Sequence, residues 1–215
     1  MFILDRQNSI ANQYLAEIRH VGSQSDMLRF RHNMKRLGQL LAYEISKTLL
    51  YETRPIETPL VKSQAHFLAD QVVVISILRA ALPFSQGFQD VFDSAEFGFI
   101  GAARKPHLAN EPVEVALDYL AAPDLNNKVV VVVDPMLATG KSIVKSIDHL
   151  LQNGTPKKLH IATIIAAPEG VDYLQRELNT PYDLWSCALD EKLNEKYYIV
   201  PGLGDAGDLA FGRKL

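Results

Sequence analysis

Five consecutive valines, Val129–Val133, run straight into Asp134-Pro135-Met136-Leu137-Ala138-Thr139-Gly140-Lys141-Ser142, and no other stretch limits the possible folds as much. β-branched side chains at successive positions fill both faces of a pleat. The run therefore predicts a strand covered on both sides, as in a parallel sheet. Pro135 has no N–H to give to a ladder and stops it. Beyond the loop, Ile143, Val144, Ile147, Leu150 and Leu151 recur at helical spacing, and Gly154 supplies a stop. The order is strand, acid-tipped loop, helix. Thr139, Gly140, Lys141 and Ser142 fall where backbone N–H groups lack intrahelical partners and the helix dipole is positive, which suits a phosphate.

A Walker A loop is the nearest rival, because Thr-Gly-Lys-Ser matches its end. That loop needs a glycine five positions before its second glycine, and this chain has Pro135 there, preceded by an acid. A carboxylate repels a triphosphate but accepts hydrogen bonds from sugar hydroxyls. Asp134 followed by a phosphate loop thus suits a ribose 5-phosphate; the bland alternative is a tight strand–helix turn. The stretch resembles the 5-phosphoribosyl 1-diphosphate (PRPP) loop of the type I phosphoribosyltransferases. Its wording Asp-Pro-Met-Leu-Ala-Thr-Gly is that of the uracil phosphoribosyltransferases. The resemblance places PRPP along Asp134, Pro135, Met136, Leu137, Ala138, Thr139, Gly140, Lys141 and Ser142. Lys141 stands where the family usually carries glycine, and a backbone amide survives that change.

Composition sets outer bounds. With 215 residues, 47% hydrophobic and 22% charged, the chain suits one large α/β domain with a sizeable core. A net charge of -3 supplies no basic field and argues against nucleic-acid partners, so an anionic substrate must be held by local donors. The single cysteine, Cys187, excludes an internal disulfide framework and a multi-cysteine metal site; its apolar surroundings read as a buried, inert thiol. No apolar stretch reaches membrane-spanning length, and Met1–Leu4 is too short for a signal core, so a cytoplasmic protein without a membrane partner is expected. His20, His32, His66, His149 and His160 show no ligand-like spacing and read as structural or exposed.

Elsewhere, a short helix is expected around Ile10–Ile18, and a long one after the N-cap Asp26, with Phe30, Met34, Leu37, Leu41, Ile45 and Leu49 on one face. Thr53–Pro59 is expected to end it. Val72–Leu78, Phe97–Ile100, Val113–Leu120, Leu159–Ala166 and Tyr182–Leu189 read as strands alternating with helices, which argues a doubly wound, mostly parallel α/β sheet. Arg79 follows the first of these, at the carboxyl end where open α/β sheets bind ligands, and its planar fork suits diphosphate oxygens; the bland alternative is a surface salt bridge. Ile-Leu-Arg-Ala resembles the family's diphosphate loop, but Ala81 replaces its glycine; a glycine-only angle there would be strained. Arg104 matches a second diphosphate arginine by its offset from Gly101. The polar segment to Pro112 reads as a lid, with a merely solvated loop the equal alternative for Lys105 and His107, and Ala103, Lys105 and His107 depart from the family pattern.

Near the end, Tyr197-Tyr198-Ile199-Val200-Pro201-Gly202-Leu203-Gly204-Asp205-Ala206-Gly207-Asp208 leaves backbone amides and carbonyls uncovered, so a flat heterocycle can approach them, although on its own such a glycine-rich tail reads more readily as a cluster of turns. It resembles the family's uracil-binding segment. The resemblance puts uracil on Ile199, Gly204, Asp205 and Ala206, with Asp205 also reaching PRPP. It implies a single phosphoribosyltransferase-like domain over residues 1–215: an N-terminal helical segment to about 60, a core to about 190, and a small hood for the base over about 191–215. It further implies that uracil and PRPP give UMP and diphosphate, with Arg79, Arg104 and Asp205 as catalytic residues. Mg²⁺ would be carried by PRPP, with no protein-built metal cage. Asp205 would act on Mg²⁺-bound water or on the uracil N1 proton. A homodimer or higher homo-oligomer and a GTP effector are expectations of the same kind, since family members differ in both. The alternative function is a PRPP- or nucleotide-binding regulator with weak or no turnover.

Overall fold

The computed structural model describes residues 1–104 and 115–214, with backbone alone for 102–104 and 115–118. The chain begins with β1 (Phe2–Ile3), α1 (Ile10–Arg19), the single turn α2 (Val21–Gln24) and α3 (Met27–Ser46). Ser9 and Asn12 close a reciprocal cap on α1, and Asp26 caps α3 by accepting the Arg29 N–H at 3.0 Å. Phe30, Met34, Leu37, Leu41 and Ile45 form the buried stripe of α3, as their spacing predicts. Next come β2 (Tyr51–Glu57) and β3 (Lys62–Leu68), an antiparallel hairpin that pairs with no other described strand. This corrects the expected helical segment to about residue 60, ended by Thr53–Pro59: α3 stops at Ser46, before Leu49, and Thr53–Glu57 lies in β2. Nearly every hairpin side chain faces out, so no alternation of apolar and polar residues marks it.

The centre is built from β4 (Val72–Leu78), α4 (Leu82–Gln89), β5 (Glu96–Arg104), β6 (Val115–Ala121), β7 (Val129–Val133), β8 (Met136–Leu137), α5 (Lys141–Leu150), β9 (Lys158–Ala166), α6 (Pro168–Glu177) and β10 (Tyr182–Leu189). The main sheet runs β1-β10-β9-β7-β4-β5-β6, with β8 beside β9. Every pairing is parallel except β5 with β6. The two-residue edge strand β1 is an addition to the expected sheet.

The valine run lies between β4 and β9, and all five residues are buried. Alternate valines serve different cores, as the period of a strand requires. Val129, Val131 and Val133 join Phe30, Leu37, Phe84 and Phe88 from α3 and α4. Val130 and Val132 join Ile143, Ile147, Leu150 and Leu174 from α5 and α6. Each fully buried valine contributes roughly 1.5–3 kcal/mol, so the run anchors both layers. α4 leaves β4 toward the first face and α5 leaves β7 toward the second. Two neighbouring strands thus send their chains opposite ways, and a crevice opens at their carboxyl ends.

α3 and α4 touch backbone to backbone at Gly38 and Gly87; a Cβ on either would overlap a carbonyl oxygen of the other helix, Phe84 and Lys35 respectively. Ala81 has φ −70° and ψ −17°, a right-handed angle open to any residue, so the strain expected from its missing glycine does not arise. After β10 come β11 (Lys192–Leu193), β12 (Ile199–Val200) and α7 (Ala206–Phe211), with β11 and β12 paired as a separate sheet. No described helix is long and apolar enough to cross a membrane.

Candidate active site

The crevice at the β4–β7 switch point is a cleft of about 1020 Å³, open solvent at its mouth included. Arg79 enters it from the end of β4 and Asp134 from the end of β7. Asp134 Oδ1 accepts the Met136 N–H at 3.3 Å, and the Pro135 carbonyl accepts from Ile164 and Ile165, both at 3.1 Å. These bonds, with the β8–β9 pairing, fix the loop against the sheet. Met136, Ala138, Thr139, Gly140 and Ser142 line the cleft. Pro135 and Leu137 are buried and turned into the protein; Lys141 is not among the lining residues.

Gly140 opens α5 with φ +77°, and a Cβ there would sit 2.9 Å from the Gly170 carbonyl oxygen, so only glycine fits. Among the described residues no side chain caps α5. Its first N–H groups, beside the Thr139 and Ser142 hydroxyls, are left for an anion.

The other wall comes from the chain's end. Ile199, Gly204, Asp205, Ala206 and Gly207 line it, as do Tyr197, Tyr198 and Lys214. Ile199 is buried in β12, and Asp205 caps α7, its Oδ1 accepting the Asp208 N–H at 2.9 Å. The Val200–Pro201 peptide is cis and Gly202 follows with φ +63°. Three N-terminal side chains tie this wall down. Arg19 grips Asp190 with both fork nitrogens, at 2.8 and 2.6 Å, and donates to the Gly202 carbonyl at 3.0 Å. Asp190 in turn accepts the Gly202 N–H at 2.8 Å. Gln24 donates to the Leu203 carbonyl and Arg31 to the Ala210 carbonyl, each at 2.7 Å.

The structure thus brings Arg79, Asp134, most of the 136–142 loop and the 199–206 segment around one space. Arg104 ends β5 and its side chain lies outside the described residues, as does the expected lid from residue 105 to Pro112. Sequence reasoning gave no role to Lys214, Arg19 or Asp190, and carried Tyr197 and Tyr198 only as part of the terminal segment. Tyr197 has φ +60°, rare for an aromatic residue, and nothing in its neighbours signals it. Arg19 and Asp190 meet across 171 positions, which no local spacing reveals.

Among the described residues no group of three or more His, Cys, Asp or Glu side chains is placed to hold a metal ion. The carboxylates lining the cleft, Asp134 and Asp205, fit an ion that arrives on a ligand's phosphates better than one caged by protein. Away from the cleft, buried Trp185 donates to His160 Nδ1 at 3.0 Å. Asp183 lies 3.8 Å from the same nitrogen, but Trp185 takes its lone pair, so the ring is neutral; burial pushes His160 down to about 4. Burial likewise pushes the Cys187 thiol up, consistent with the inert thiol expected.

A family model described as uracil phosphoribosyltransferase matches residues 6–213. A uracil phosphoribosyltransferase of Porphyromonas gingivalis is 43% identical over 212 residues, covering 99% of this chain and 98% of that protein. One of Methanothermobacter thermautotrophicus is 40% identical over 208 residues, covering 96% and 93%. The solved AQ2163 protein of Aquifex aeolicus superposes with a TM-score of 0.87 at 31% identity, covering 99% and 98%. A hypoxanthine phosphoribosyltransferase of Staphylococcus aureus, at 18% identity and a TM-score of 0.51 over 87% and 84%, shares the fold. On the strength of the full-length family match and these relatives, the chain belongs to the uracil phosphoribosyltransferase family.

Proposed function

We infer that the chain transfers the 5-phosphoribosyl group of PRPP to uracil N1, giving UMP and diphosphate, as pyrimidine salvage requires. One observation carries the reading: the sugar-phosphate loop and the glycine-rich terminal segment face each other across a single cleft. In this account the α5 amides with Thr139 and Ser142 hold the 5-phosphate, and Asp134 takes the ribose hydroxyls. Arg79 faces the diphosphate. Arg104 joins it from β5, whose Gly101 pairs with Leu78 just before Arg79. Charge growing on the leaving diphosphate is met by fixed cations, which need no reorganisation at the moment of reaction. Mg²⁺ bound to the diphosphate adds further positive charge there.

Uracil lies against the backbone of Ile199, Gly204 and Ala206, whose amides and carbonyls match its donors and acceptors. Cytosine would leave a buried donor or acceptor unpaired, at a cost of about 1–3 kcal/mol each. Asp205 is assigned to one of two tasks, positioning Mg²⁺-bound water or managing the N1 proton. Residues 1–215 work as one unit, with about 191–215 as the hood over the base, and the protein acts in the cytoplasm.

A second copy of the chain is proposed to cover the β2–β3 hairpin. An isolated two-stranded hairpin is marginal in water, and this one exposes Leu60 (95%), Val61, Tyr51 and Phe67. Light scattering on the intact protein reports the stoichiometry. The activity test is diphosphate release from Mg²⁺-PRPP with uracil, cytosine, hypoxanthine or orotate offered separately. Uracil alone is expected to support release, and a response to another base in its place refutes the assignment. GTP added to the same assay tests the effector expectation.

A further inference from the structure

Arg79 leaves β4 after a cis Leu78–Arg79 peptide and its guanidinium reaches α7. There Nη2 donates to Asp208 Oδ1 at 2.7 Å and to the Gly212 carbonyl at 2.8 Å. Both side chains of the ion pair are 34% exposed. The Arg79 Nε–H is buried and has no hydrogen-bond partner among the described residues. The fork is therefore half satisfied, one end on a resident carboxylate and the other lacking an acceptor. A buried donor left so is costly, and a ligand oxygen would relieve it.

Asp208 does not line the cleft. It lines a second, open cavity with Gln24, Met27 and Leu209, which adjoins the cleft at Gly204 and Asp205. Its carboxylate thus reaches Arg79 without itself lining the cleft and lowers the positive charge that the cleft presents. Its own N–H donates to Asp205 Oδ1, so the Arg79 pair and the base-side carboxylate share one turn of α7.

We propose that Asp208 is a positioning residue acting through Arg79: a resident counter-ion that competes with diphosphate for the guanidinium. When PRPP binds, its diphosphate takes the fork from Asp208. When diphosphate leaves, Asp208 takes it back, which weakens the protein's grip on that product. This rests on the reading of Arg79 as a diphosphate ligand.

The test uses the full-length Asp208→Asn protein, which keeps the shape and removes the charge. Titration with Mg²⁺-diphosphate, and diphosphate inhibition measured against PRPP, are expected to show binding about fivefold tighter, the scale of a partly exposed ion pair. The KM for PRPP falls in parallel. Asp208→Glu, which restores a carboxylate, returns both values toward those of the parent. A merely structural role predicts the opposite sign, weaker diphosphate binding with a lower melting temperature, and that result or an unchanged affinity overturns the proposal. Arg79→Ala separates the two layers. If it leaves diphosphate binding intact, the assignment of Arg79 fails and this inference with it. If it abolishes binding while Asp208→Asn gives no gain, only the counter-ion role fails.

Discussion

Replacing Arg19 with methionine removes the cation that holds the base-side wall while keeping most of the side chain's apolar stem. Asp190, with its side chain 4% exposed, would be left with the Gly202 N–H as its remaining polar contact in this cluster. Breaking one partner from a buried pair costs about 3–5 kcal/mol, because the other charge stays stranded. Arg19 is itself 22% exposed, so water can enter the vacated place; we therefore expect a loss of about 2–3 kcal/mol, below that range. The same change frees the Gly202 carbonyl, two residues before Gly204. The KM for uracil should rise about tenfold, equivalent to about 1.4 kcal/mol, while that for PRPP moves much less. Urea denaturation gives the first quantity and steady-state kinetics the second. The Arg19→Met, Asp190→Asn double variant should lose less stability than the sum of its parts, by about 1–2 kcal/mol for directly bonded groups. A stability loss below about 1 kcal/mol, which is the value of a surface pair, or equal changes in both KM values, would refute the reasoning.

Three further outcomes are expected. Gly38→Ala gains up to about 1 kcal/mol of helix propensity but drives a methyl into the Phe84 carbonyl, and overpacking of about 1–3 kcal/mol or more should leave a net loss, read as a lower melting temperature. Gly140→Ala, forced to φ +77° against the Gly170 carbonyl, should raise the KM for PRPP with the KM for uracil little changed; a parent-like PRPP response would remove α5 from the phosphate site. His160 titrates near 4 when folded against about 6.5 when unfolded, so below pH 6.5 the unfolded chain binds the extra proton. Its contribution is complete above that pH and is lost as pH falls toward 4, by as much as about 3 kcal/mol; a His160→Gln variant should show a shallower decline over that window.

How much of this was legible in the sequence depends on whether a local pattern carried the information. The β7 strand, the Asp26 cap and the stripe on α3 were readable because burial imposes a period on adjacent residues. The two terminal motifs were readable because each function sits in one continuous stretch. β1 is too short to show a period. The β2–β3 hairpin was missed because its side chains face water on both sides, so no burial shapes its composition. The Arg19–Asp190 clasp and the Arg79–Asp208 pair join residues more than 120 positions apart, and a lone charged residue in a chain gives no hint of its distant partner. Ala81 misled for a different reason: a missing glycine suggests strain only when the backbone angle there is left-handed, and it is not.

The division of the valines between two separate packings has a consequence for how this molecule tolerates changes in length. One residue added to or removed from Val129–Val133 would exchange every side chain beyond that point between the two layers, and would turn Asp134 away from the opening it serves. Both halves of the interior would be damaged by a single event. Length variation in proteins built on this plan should therefore stay out of the central strand.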